Sequence, residues 1–151
     1  IELSLITLDG ISVKNGSVVG TGDTGVWVGQ NSAVLNVTVR WGGDEGIYAF
    51  KGSTISGNRV YENDDEGIVT GEGSTVSGNA AYGNGGHGIV TGPGSTVSGN
   101  TVRSNSGNGL RFIGSDSAYS GNVISNNTAG TVTGSGVEFG QNVCDGNTTC
   151  P

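Results

Sequence analysis

The chain has little of what a basic, metal-rich or membrane-spanning protein needs. Its 151 residues hold six Lys and Arg together against 13 Asp and Glu, one histidine, two cysteines and no methionine. A net charge of −7 argues against nucleic acid as a partner, because phosphate contacts require clustered Lys and Arg. An anionic glycan meets the same overall repulsion. No apolar run of about 18 residues occurs, so membrane insertion is not expected. The chain starts at Ile1 with neither Met nor a signal-like segment, which reads as removal of an N-terminal region. Hydrophobic residues make up only 32% and glycines number 31, too lean a composition for a conventional multilayer core.

What is present instead is a repeat. GIVTGEGSTVSGN at 67–79 returns as GIVTGPGSTVSGN at 88–100, a period of 21 residues. Such a unit is too short for two packed helices and suits one turn of a β-solenoid, whose core is a thin column built coil upon coil. Regular Ile and Val spacing separates it from a disordered linker of similar composition. Glycines at 25, 46, 67, 88, 109 and 130 mark the coil starts. Residues 1–24 read as a degenerate first coil through Leu5, Val13 and Val18. The fifth coil gains a residue before Asn122 and is expected to lose one after it, leaving the phase intact.

Alternation within a coil sends one set of side chains inward. It stacks Val26, Ile47, Ile68, Ile89 and Leu110 in one column, Val34, Ile55, Val76 and Val97 in a second, and Val39, Val60, Ala81 and Val102 in a third. The expected fold is all-β: a parallel β-helix of about seven coils with three parallel sheets, one domain over 1–151. Regular coils run over 25–142 and a cap over 143–151. Asparagines form two further files, Asn58, Asn79, Asn100, Asn122 and Asn142, then Asn63, Asn84, Asn105, Asn127 and Asn147. They are expected at left-handed corners, bonding the Asn in the next coil, in a structural role. The pattern G-I-x-x-x-x-G-S-x-V-S-G-N followed by N-x-x-G-x-G resembles the right-handed parallel β-helix repeats of the pectate-lyase-like superfamily over about residues 25–142. That resemblance implies right-handed coils, extracellular placement and glycan contact, and it names no activity. The aspartate-proline-histidine motif of the alginate epimerases is absent.

Cys144 and Cys150 lie six apart near the C-terminus and read as a disulfide closing a terminal loop, which implies an oxidising compartment and an extracellular or surface location. Pro151 ends the cap, since it cannot donate to a ladder. Five carboxylates gather at one corner: Asp44, Glu45, Asp64, Asp65 and Glu66. The plainest reading is a solvated acidic turn. The alternatives are a Ca²⁺ site, the one cofactor the sequence suggests, and a carboxyl of raised pKa suited to proton transfer, with Glu45, Glu66, His87 and Asn108 in one file. No residue is assigned a catalytic role. Two outward files are suited to binding: Trp27, Tyr48, Val69, Val90 and Arg111 in one, Arg40, Tyr61, Tyr82 and Arg103 in the other, where rings can pack on sugars and arginines can meet hydroxyls or carboxylates; the alternative is a ladder whose stacked rings only stabilise the solenoid. The expected partner is a polysaccharide or a second copy joined through open coil edges. The expected role is non-catalytic, structural or adhesive, and the alternative is a fragment of a lyase, epimerase or hydrolase using the acidic corner.

Overall fold

The computed structural model describes residues 8–150. Every regular element among them is a strand, and every paired strand runs parallel to its partner. Each coil carries three short strands, and each strand pairs with its counterpart one coil later, so register follows the 21-residue period. Two of the three ladders are fused where the chain begins to coil. Ser12–Val19 and Ala33–Arg40 are eight-residue strands that bridge both, making one twelve-stranded sheet beside a separate six-stranded one. From the next coil on, a bend divides that strand into Thr54–Ser56 and Arg59–Tyr61. The solenoid makes about six turns where seven were expected. Leu5 lies outside the described residues, while Val13 and Val18 pack against the core.

The three interior columns are as the alternation places them. Val26, Ile47, Ile68, Ile89 and Leu110 stack in register and continue to Val132. The second column ends on Tyr119 and the third on Ile124 and Cys144. Phe112 and Tyr119, stacked 5.3 Å apart, fill the interior beneath the final coil. Glycine opens each regular coil for a steric reason. A Cβ on Gly88 would run into Val102 Cγ1 across the interior and into the Gly109 carbonyl.

Three residues in each of the first four regular coils take left-handed backbone, and these are the corners; the fifth adds one at Asp116 beside its inserted residue. In the second coil they are Gly52, Gly57 and Glu62, with φ of 69°, 68° and 54°. The stacked asparagines themselves are not left-handed, contrary to expectation. The residue before each one is, and this turn rotates the Asn side chain inward. There Asn58 donates its N–H and its Nδ2 to Asn79 Oδ1, both at 2.9 Å, and Asn79 repeats the bonds to Asn100. The remaining Nδ2 hydrogen of Asn79 reaches the Ile55 carbonyl at 2.9 Å. The first file runs on to Asn142 and the second from Asn63 to Asn127. A third polar file, unremarked in the sequence reading, passes from Ser32 through Ser53, Ser74 and Ser95 to Ser117.

Two expectations of phase fail at the C-terminal end. Asn147 is exposed and outside the second file, its backbone paired with Cys144. Gly109 is matched by Thr131, not Gly130, since Asn108 pairs with Gly130 and Leu110 with Val132. The residue gained in the fifth coil is already in place at Ser115, and the register recovers only beyond Gly134, where Val137 follows after a shortened turn. Cys144 and Cys150 are disulfide-bonded, tying the tail across the end of the third interior column.

Candidate functional site

The strongest concentration of unlike chemistry lies along the six-stranded sheet and the corner that leads into it. The sheet's outward file is Trp27, Tyr48, Val69, Val90 and Arg111, in register from coil to coil. Trp27 and Tyr48 stack at 4.6 Å, and Phe50 meets the Tyr48 ring edge-on at 5.4 Å. On the far side of this aromatic group an open depression is lined by Asp9, Gln30, Phe50, Lys51 and Gly71. On the near side runs the corner file Thr24, Glu45, Glu66, His87 and Asn108, whose carbonyls receive or continue the bonds between successive coils.

Backbone pairing brings the predicted acidic residues together as two files, Asp44 beneath Asp65 and Glu45 beneath Glu66, with Asp64 exposed beside them. Thr24 donates to Glu45 Oε2 at 2.8 Å. Burial pushes the Glu66 carboxyl up to about 7, and the neighbouring Asp65 and Glu45 add to the effect. Burial also raises Asp44, helped by Glu45, Asp65 and Asp23. Among the described residues no three His, Cys, Asp or Glu side chains gather in a group able to hold a metal ion.

His87 joins the corner to the sheet. Its Nδ1 accepts the Asn108 backbone N–H at 2.9 Å, so the neutral ring carries its proton on Nε2. Burial and the nearby Arg111 guanidinium hold its pKa below the ordinary histidine value, which keeps the ring neutral. Arg111 stands directly above Val90 in the next coil and reaches back until Nη1 is 3.5 Å from His87 Nε2. Val90 points outward yet is only 4% exposed. Both facing atoms are donors, so the pair makes no good bond of its own and is open to an oxygen that accepts from both. By sequence alternation His87 belongs to the corner file and Arg111 to the outward file of the sheet. A diagonal reach of one coil plus three residues brings them together, a relation visible only once the register is known.

The other predicted binding residues lie on a different face. Arg40, Tyr61, Tyr82 and Arg103 line the outward side of the ladder through Arg59–Tyr61. Tyr61 and Tyr82 stack at 4.8 Å within 4° of parallel, and Arg103 covers the Tyr82 ring at 4.9 Å. Both faces of Tyr82 are therefore occupied, and what it offers outward is its edge. Arg59 donates to the Tyr82 hydroxyl at 3.0 Å.

The model of the right-handed β-helix region matches residues 5–148. The chain belongs to the right-handed β-helix family. Among solved structures, 86% of this β-helix chain matches 38% of the periplasmic alginate epimerase AlgG, with 18% identity and a TM-score of 0.77. The A-module of the mannuronan C-5 epimerase AlgE6 of Azotobacter vinelandii matches 87% of the chain over 46% of its own length, with 16% identity and a TM-score of 0.70. The A-module of AlgE4 from the same organism matches at 14% identity and a TM-score of 0.58. The β-helix chain thus spans about half or less of each of these proteins, and the likeness is one of fold. No curated protein sequence matches the chain.

Proposed function

We propose that this β-helix chain binds an acidic polysaccharide along the outward face of its six-stranded sheet. The observation that carries the reading is the pair of converging donors, His87 Nε2–H and Arg111, on the same sheet face as the Trp27 and Tyr48 rings, with Val69 and Val90 between Tyr48 and Arg111 in the outward file. A carboxylate oxygen accepts from both donors, and its charge favours the guanidinium. The sugar carrying that carboxylate then lies toward Val69 and the aromatic stack. A carboxyl held near 7 at Glu66 reduces the local repulsion that the overall charge predicts. The likeness to alginate epimerases supports a carboxylated polymer as ligand, and their periplasmic member together with the Cys144–Cys150 bond supports a location outside the cytoplasm.

The test is affinity for alginate by calorimetry. Arg111→Gln is expected to weaken binding about tenfold, the loss of one charge-assisted pair. Unchanged affinity overturns the reading. A second reading, proton transfer on the bound sugar, is favoured by the raised Glu66 carboxyl next to the donor pair. It requires that alginate incubated with the protein gain unsaturated ends or inverted C5 centres by NMR, and that Glu66→Gln abolish the change. If the polymer is bound but unaltered, the non-catalytic reading stands.

A further inference from the structure

Three of the six Lys and Arg residues, Arg40, Arg59 and Arg103, stand on one sheet face spanning four successive coils. Their contacts are aromatic or phenolic. Arg40 lies over the Trp41 ring at 4.0 Å, Arg59 donates to the Tyr82 hydroxyl, and Arg103 lies over Tyr82. In a chain with twice as many acids as bases this is unusual economy, because none of the three guanidiniums is neutralised by a carboxylate among the described residues. Glu62, next in sequence to Tyr61, accepts from the Trp41 indole at 2.7 Å. Stacking on rings fixes the planes of the guanidinium forks and leaves their outer N–H groups pointing to solvent.

The neighbouring ladder adds a flat, unobstructed surface. Thr54, Thr75 and Thr96 form one outward file and Ser56, Ser77 and Ser98 another, so beside Arg59 and Arg103 this ladder projects only hydroxyls, while Leu35 and Lys14 continue the serine file at the coil of Arg40 and the one before it. Coils rise about 4.8 Å each, which sets Arg40 and Arg103 roughly 14 Å apart along the axis. A compact anion cannot meet both. A linear one can.

We infer that the Arg40, Arg59 and Arg103 face, held in place by Tyr61 and Tyr82, is a second binding surface for an extended polyanionic polysaccharide lying along the solenoid axis. Ring faces play no direct part, since they are closed by one another and by Arg103; the ligand meets guanidinium N–H groups and phenol edges. This surface is separate from the His87–Arg111 pair and stands or falls without it. Two such faces on one rod allow a single chain to link two polymer strands.

The probe is dextran sulfate, with uncharged dextran as the control, measured against the intact chain at rising salt. Salt-sensitive binding of dextran sulfate, absent with dextran, is expected. Arg59→Gln with Arg103→Gln should lower affinity at least tenfold, measured in the Arg111→Gln background so that the other face does not mask the loss. Arg103→Lys retains charge and fold but lacks the planar fork, and it should fall between. Equal binding by the double variant, or a loss that follows Arg111 instead, overturns the inference. So does a concentration-dependent dimer that Arg59→Gln disrupts while dextran sulfate stays unbound, since the face would then serve a second copy.

Discussion

Thr70 and Thr91 place two hydroxyls side by side in the solenoid interior, between Ala49 below and Phe112 above, and neither oxygen has a hydrogen-bond partner. An unpaired buried hydroxyl is worse than a methyl of the same shape. Thr91→Val should therefore stabilise the chain by about 1 kcal/mol, read as a Tm increase of about 2–4 °C. The asparagine files give the opposite sign. Asn79→Ala leaves the Asn58 N–H and Nδ2 without their acceptor and the Ile55 carbonyl without its donor, and a loss of about 3 kcal/mol or more follows in urea unfolding. Glu66 makes stability depend on pH. Its folded pKa of about 7 lies above the ordinary value of 4.5, so between these values the folded state holds more protons than the unfolded one. Stability is greatest below about 4.5 as far as this group decides, falls as pH rises toward 7, and stays reduced above. Glu66→Gln should flatten the Tm profile across that window and raise Tm at pH 8. A variant with the wild-type slope would assign the dependence to other groups.

At the scale of the element, the coil is legible in the sequence because each of its features has a separate residue signature. The inward Ile and Val, the Gly at the coil start and the Ser-Gly-Asn bend recur at one spacing, and the three interior columns follow directly. The Gly88→Ala variant probes the tightest of these features: its Cβ meets the Val102 side chain, the Asn105 amide and the Gly109 carbonyl. Overpacking of about 1–3 kcal/mol is expected, with local hydrogen exchange rising in the coils either side. Less legible was the last coil. Gly130 falls 21 residues after Gly109 and so imitates a coil start, yet hydrogen bonding places Thr131 there. Counting between two glycines cannot locate an inserted residue and a later deletion; only pairing can. The His87–Arg111 meeting escaped for a related reason. Files describe what stacks vertically, and a long side chain that leans across its neighbour crosses between files.

On the scale of the whole molecule, each coil touches only the coils above and below, so stability is a sum of neighbour terms and loss begins at an end. The Cys144–Cys150 bond closes the C-terminal end over Cys144, the last member of an interior column. Reduction should lower stability by about 2 kcal/mol, with amide exchange accelerating first over residues 117–144 and reaching 47–103 last. Uniform acceleration along the rod would contradict the neighbour-sum picture. The asparagine files carry one more consequence. Asn58, Asn79, Asn100 and Asn122 each give one Nδ2 hydrogen to the amide oxygen of the C-terminal coil, while the Oδ1 of Asn79, Asn100, Asn122 and Asn142 accepts from the N-terminal one, so the side-chain carbonyl dipoles add instead of cancelling. The rod is thereby a vector, its amide oxygens facing the N-terminal coil, where Val37 and Gly42 N–H groups meet the first of them, and amide donors facing the C-terminal one. At the donor end Asn142 Nδ2 finds the Glu138 carboxylate at 3.1 Å, an anion placed where the accumulated positive pole emerges. A coil arriving in reversed orientation would meet donor with donor, and the stack accepts growth in a single sense.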